Sequence, residues 1–327
     1  MTRKLLIAAL ALVIAAAGAG AFAVVYRPSP GSEVEVAIPR GASTQQVAGL
    51  LEENGIIGST LFFRVMSRLR GKDGRLQAGL YRLNEGMGVQ AALDALSTAP
   101  IEKGTNVPLP EGFNVKQVGE RLAARTQIKD FGAVATSGVV RGPGQPADVK
   151  TLEGFLYPET YFIGERETAQ GVAQRMVDLF SQATAQLDYS FPEGRGLSRY
   201  ETLIIASLIE REARVDEDRD KVAAVIYNRL AKGMRLQIDI TALYGTDHKV
   251  PTRADLQRQS PYNTYLIDGL PPTPIANPGL DSIRAALDPA EIDAIYYVVI
   301  DPSGKHGFTD DPAEFERLKK QRPPEVH

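Results

Sequence analysis

The sequence predicts an α+β protein behind an N-terminal transmembrane helix. Three observations carry this reading. Residues 5–26 are apolar and free of charge, and residues 33–83 pass from strand-like alternation to helical periodicity and back. Beyond residue 150, long helical patterns alternate with proline-rich connections. At 327 residues the chain has room for about two domains with real cores.

The first element is the apolar stretch. Its 22 uncharged residues would make a helix about 33 Å long, enough for a hydrocarbon core of roughly 30 Å. Arg3 and Lys4 precede it, so the positive-inside rule leaves the N-terminus in the cytoplasm and the body outside. Ala19, Gly20 and Ala21 offer a competing signal-peptide cleavage site. The apolar regions of signal peptides run only about 7–15 residues, which favours a retained anchor. Three of the 37 basic residues precede residue 28, so the body sets 34 against 40 acidic ones and carries −6. That balance disfavours a nucleic-acid partner. With no cysteine, and with His248, His306 and His327 far apart, thiol chemistry is excluded and a histidine metal site is disfavoured. Carboxylate, hydroxyl and amide chemistry remains.

Residues 33–38 alternate, with Val34, Val36 and Ile38 on one face of a short strand. Ser43 and Gln46 form the pattern of a capping box, and Val47, Leu50 and Leu51 line the helix that follows until Gly55. A second helix after Ser59 carries Leu61, Phe62, Val65 and Leu69, and residues 79–83 return as a strand. The result is a β-α-α-β unit. Its opening recurs 71 residues later: IPRGASTQQVAGLL at 38–51 aligns with LPEGFNVKQVGERL at 109–122. Duplication and two similar strand-to-helix turns explain this equally well. The Gly/Pro-rich stretches 137–150 and 187–196 read as surface loops.

Ser198 and Glu201 open a helix that is almost wholly apolar until Glu210, so it should be buried. Glu210 leaves a face lined by Leu203, Ala206 and Ser207, while Glu212 is turned roughly 200° away. A carboxyl on such a face loses hydration as its anion, which raises its pKa as a general acid requires. The residues alone leave open a solvated helix end, with Glu210 paired to Arg211 or Arg214. A helix over 219–230, a mixed segment at 235–245 with Gln237, Asp239 and Tyr244, and a stiff loop at 260–279 follow. The loop holds five prolines beside Tyr262, Asn263 and Tyr265. Amides and tyrosines suit carbohydrate, although the prolines also serve simply to shape a connection.

Together ASLIEREA, RDKVAAVIYNRL, GMRLQIDITALYG, SPYNTYLIDGLPPTPIANPG and LEGFLYPETY resemble the endolytic murein transglycosylases, or YceG-like family, over nearly the whole chain. The resemblance implies a cytoplasmic tail and transmembrane anchor at 1–27, a LysM-like β-α-α-β subdomain at 32–84 and a mixed α+β catalytic domain at 85–327. Within the latter fall the second strand–helix turn near 106–125 and a catalytic core at 150–310. It implies a single-pass inner-membrane protein whose body faces the cell wall. Its partners would be peptidoglycan glycan strands and peptidoglycan synthases, with no metal or cofactor. Glu210 is the catalytic glutamate it implies, with Gln237, Tyr262 and Asn263 in substrate binding and Glu153 and Tyr157 as weaker candidates. This sequence departs from the family pattern at Thr273, where glycine is frequent, around Gly307 and Phe308, and in a tail without the usual histidine.

The implied mechanism needs one acid. Glu210 would protonate the oxygen leaving N-acetylmuramic acid, then take the proton of that sugar's C6 hydroxyl as it closes on the anomeric carbon. An internal nucleophile replaces the second carboxylate of ordinary glycosidases. Two rivals are a non-catalytic, membrane-anchored wall-binding scaffold and a conventional hydrolase with Asp239 or Glu153 as partner acid.

Overall fold

The structure, a computed structural model, describes residues 31–74, 76–98, 104–248 and 250–323. The apolar stretch 5–26, read as the anchor, lies outside the described residues. Among those described, no helix is long and apolar enough to cross a membrane. The chain divides after Asn106 into two compact units.

The first unit runs β1 (Glu33–Ile38), α1 (Thr44–Glu53), α2 (Thr60–Leu69), β2 (Gly79–Asn84) and α3 (Val89–Ala95). The strands pair antiparallel, with Glu33 opposite Asn84 and Ile38 opposite Gly79. This register puts Val36, Ile38, Tyr81 and Leu83 on one face, where they bury Val47 and Leu51 of α1 and Phe63 of α2. Ser43 and Gln46 close the capping box that starts α1. The β-α-α-β order therefore matches the periodicity. Two features do not follow from it. Ala92 and Leu93 of α3 and the following Leu96 complete this core, although they lie beyond residue 84, in the stretch expected to be catalytic. Moreover α2 turns Phe63 and Ser67 inward and leaves Leu61, Phe62, Val65 and Leu69 exposed at 67%, 55%, 46% and 76%.

In the second unit β3 (Gly104–Leu109) pairs with β4 (Glu159–Gly164). Between them lie α4 (Val115–Arg125) and α5 (Phe131–Ala135); after them come α6 (Ala169–Thr184) and a four-residue α7 (Ser190–Glu193) inside the stretch expected to be a loop. At the centre is α8 (Arg199–Glu212), packed against α9 (Arg219–Ala231) and α12 (Leu280–Leu287). Its run of buried residues from Tyr200 to Ile209 explains why the sequence shows almost no polar face. The short helices α10 (Asp239–Leu243) and α11 (Arg253–Leu256) precede the proline-rich connection. An antiparallel hairpin of β5 (Tyr296–Val299) and β6 (His306–Thr309) leads to α13 (Pro312–Lys319). Buried Asp218 ties the hairpin down by accepting the His306 backbone N–H at 2.7 Å.

The recurring segments share their local geometry. Gly41 and Gly112 both take left-handed φ angles, 82° and 76°, and Ser43 and Asn114 both close capping boxes with the glutamine three residues on.

Candidate active site

Both glutamates of the sequence motif sit in the last turn of α8, and they face different surroundings. Glu210 Oε2 accepts the Ser282 hydroxyl at 2.7 Å and the Gly279 N–H at 3.1 Å. Gly279 is the N-cap of α12 and has no side chain to satisfy the first turn. Glu210 therefore works as a side-chain cap lent by one helix to another, at the positive end of the α12 dipole. A Cβ at Gly279 would fall 2.0 Å from Glu111 Oε1, so any larger residue would displace that carboxyl. Burial, and then the Glu210 charge, push the Glu111 carboxyl above its usual range.

Glu212 points the other way, as its helical offset demands. Its Oε2 accepts the Tyr297 hydroxyl of β5 at 2.9 Å. Loss of hydration lifts its pKa to about 7, and the Asp239 charge adds to the shift; Tyr297, Arg214 and Arg211 oppose it without cancelling it. The residue as a whole is partly buried, and its carboxyl is desolvated. Asp239 opens α10 and accepts the Tyr265 hydroxyl at 2.5 Å.

Gln237, two residues earlier, is exposed and has φ 51°, the one left-handed non-glycine among the described residues. Its N–H donates to the Thr264 carbonyl at 3.1 Å, and its Oε1 accepts from Arg229 Nη1 at 3.4 Å. Buried Arg229 donates to the carbonyls of Leu236 and Ile295, both at 2.6 Å, and so joins this turn to the entry of β5. Backbone held in a sparsely populated region by such over-determined contacts is a mark of functional sites.

The remaining expected residues divide. Tyr262 is half-buried, with its ring centroid 4.4 Å from that of Tyr244 and its hydroxyl 2.9 Å from Thr273 Oγ1. Thr273 also donates to the Pro274 carbonyl at 2.8 Å, so the departure from glycine supplies a tie within the loop. Tyr157 lies on the Glu111 side, where burial, then the charges of Glu159 and Glu111, raise its pKa. Asn263 is enclosed by its own loop. At 0% exposure its amide donates to the Leu256 and Arg258 carbonyls and accepts the Tyr265 N–H, leaving no face for a ligand.

Glu153 is likewise enclosed by the fold. It is 2% exposed, accepting the Val115 N–H at 3.0 Å and the Tyr244 hydroxyl at 2.7 Å beneath the first turn of α4. Burial pushes its pKa to about 8. The folded state thus holds a proton that the unfolded chain releases near its ordinary value of 4.5. The stabilisation is whole below that value and is lost as pH rises through about 8. Glu153→Gln keeps the acceptor and cannot ionise. It should flatten the pH dependence and exceed wild type at pH ~9 by on the order of 2 kcal/mol. Urea unfolding on either side of that range checks this; a variant less stable than wild type in alkali refutes it.

A groove of about 360 Å³, lined by Asn114, Arg211, Ile240, Tyr244 and His248, adjoins the last turn of α8. A larger concavity of about 720 Å³ lies beside Tyr200, at the first turn of the 14-residue α8, about 20 Å along the helix from Glu212. The sequence analysis gave no role to Glu212, Tyr265, Tyr297 or Arg229, which the structure links around this turn. The available signal was the helical offset itself, which sets Glu212 apart from Glu210.

The YceG-like family profile matches residues 36–321. The endolytic murein transglycosylase of Bacillus subtilis (strain 168) is 32% identical over 311 residues, covering 88% of this chain and 84% of that protein. Its namesake from Streptococcus pneumoniae (strain ATCC BAA-255 / R6) is 29% identical over 328 residues, covering 87% of this chain and 57% of the longer relative. A crystal structure of a yceG-like protein from Listeria monocytogenes, 30% identical, aligns over 89% of this chain and 100% of that one with a TM-score of 0.55. With the profile spanning both units, this chain belongs to the YceG-like family.

Proposed function

We propose that this chain is an endolytic lytic transglycosylase that cuts the MurNAc–GlcNAc bond of nascent peptidoglycan strands. It would leave 1,6-anhydroMurNAc ends and so limit strand elongation. The names of the Bacillus and Streptococcus relatives support the substrate class. The observation that carries the chemistry is Glu212, a desolvated carboxyl with a pKa of about 7, poised to hold a proton near neutrality and give it up. We assign the general acid to Glu212, whose carboxyl is the desolvated one of the pair; Glu210, the acid that the family resemblance implies, accepts from Gly279 and Ser282 through Oε2 and is the alternative.

Glu212 protonates the glycosidic oxygen as the bond to the anomeric carbon breaks. The resulting carboxylate takes the proton of the C6 hydroxyl, and that oxygen bonds to the same carbon. Every atom is accounted for without water, and the nucleophile arrives at high effective molarity. Tyr297 orients the carboxyl, while Gln237, Tyr265 and Tyr262 provide the amide and hydroxyl groups that recognise sugar. Around this centre the reading extends to a retained anchor at 1–27 in the inner membrane and an extracytoplasmic body. A LysM-like subdomain at 32–84 would hold glycan, the catalytic part would occupy 85–327, and peptidoglycan synthases would be partners.

One observation favours a second reading. The Asp239 charge acts on Glu212, as in a two-carboxylate hydrolase with Asp239 activating water. Digestion of uncrosslinked glycan separates them by mass spectrometry. Each new muramic end should be one water lighter than a reducing end, whereas reducing ends would make the enzyme a hydrolase. Release of no ends at all would leave a wall-binding scaffold.

A further inference from the structure

The apolar side of α2 is on the outside of the first unit. Among the described residues, four of the six exposed large hydrophobic side chains are Leu61, Phe62, Val65 and Leu69 of this one helix. At about 100° per residue they form a continuous stripe opposite the inward-facing Phe63 and Ser67. Arg64 and Arg68 border the stripe, and the helix carries no acidic residue. A solvent-facing apolar stripe edged by arginines is the pattern of a helix lying in a bilayer interface.

The position of the helix says what covers it. Only six residues, 27–32, separate the charge-free stretch 5–26 from β1, a tether of at most about 20 Å. The chain enters the unit where the Gly31 N–H donates to the Glu85 carbonyl at 3.0 Å. The next residue along, Gly86, donates to Gly55 at 2.8 Å, in the turn leading to α2. The entry point and the N-terminal end of α2 thus share one end of the unit.

We propose that the Leu61–Phe62–Val65–Leu69 face rests in the outer leaflet of the membrane holding the anchor, fixing how the first unit stands on the bilayer. This rests on the reading of residues 5–26 as a retained anchor. The arginines would meet lipid phosphates while Phe62 and its neighbours enter the upper acyl region.

The sequence contains no tryptophan, so Phe62→Trp in the full chain introduces a single reporter. In nanodiscs with brominated acyl chains, the introduced indole should emit to the blue and be quenched at least twofold relative to unbrominated lipid. Adding Leu61→Ser, Val65→Ser and Leu69→Ser should remove both effects. Hydrated, unquenched emission from nanodisc-bound protein overturns the proposal. So does a blue shift without lipid quenching, which would mean that protein covers the face. Failure of the chain to stay with the nanodiscs would refute the anchor instead.

Discussion

Glu212→Gln is expected to lower the release of new glycan ends at least a hundredfold while leaving the thermal transition in place. Positioned proton transfer contributes about 10²–10⁴-fold, and glutamine keeps the Tyr297 contact without a proton to give. Glu210→Gln should behave differently, retaining activity within about tenfold and losing about 1 kcal/mol from a weakened cap on α12. The reverse pattern would return the acid to Glu210. The pH profile offers a second check. An acid with a pKa of about 7 acts only when protonated, so kcat/KM should hold below that value and fall above it. That limb should be missing from the residual activity of Glu212→Gln.

Asn277→Ala should be among the most destabilising single substitutions in the second unit. Asn277 is 1% exposed; its Oδ1 accepts the N–H groups of Gly154 and Leu156, both at 2.9 Å, and its Nδ2 donates to the Phe113 carbonyl at 2.7 Å. Its own backbone bonds Gly112 and Phe113. Three separate segments therefore meet on one side chain. Alanine keeps the backbone bonds but strands two buried donors, at about 1–3 kcal/mol each. A loss of about 3 kcal/mol, or roughly 10 °C in Tm, is the expected result by thermal unfolding. A loss below about 1 kcal/mol would mean that water replaces the amide.

Asn277 also illustrates how far sequence reasoning reaches. In the same loop, Tyr262 and Asn263 read as sugar-binding because amides and rings suit carbohydrate. The structure instead spends the amides of Asn263 and Asn277 on backbone that no strand or helix satisfies. A loop of many prolines leaves such orphan groups, and buried ones must be paired. Composition named the chemistry of the loop without saying which amides the fold itself consumes.

Local rules settled what is local. The spacing around Ser43, Ser59 and Ser198 placed the starts of three helices, because a capping side chain bonds donors within its own turn. Alternation placed β1 and β2, and the unbroken apolar run made α8 a buried helix. Helical pitch likewise required Glu210 and Glu212 to part. Which of the two suits an acid depends on groups distant in the chain. Gly279 and Ser282 meet one, and Tyr297 and Asp239 the other, at separations of up to 85 residues. The same holds for α2, whose periodicity marks an apolar stripe but not the side the core occupies. A carboxyl's hydration and a helix's facing are set by what packs against them. Sequence alone therefore determined the elements and parted the two glutamates, while tertiary contacts gave each its own surroundings and turned the stripe of α2 outward.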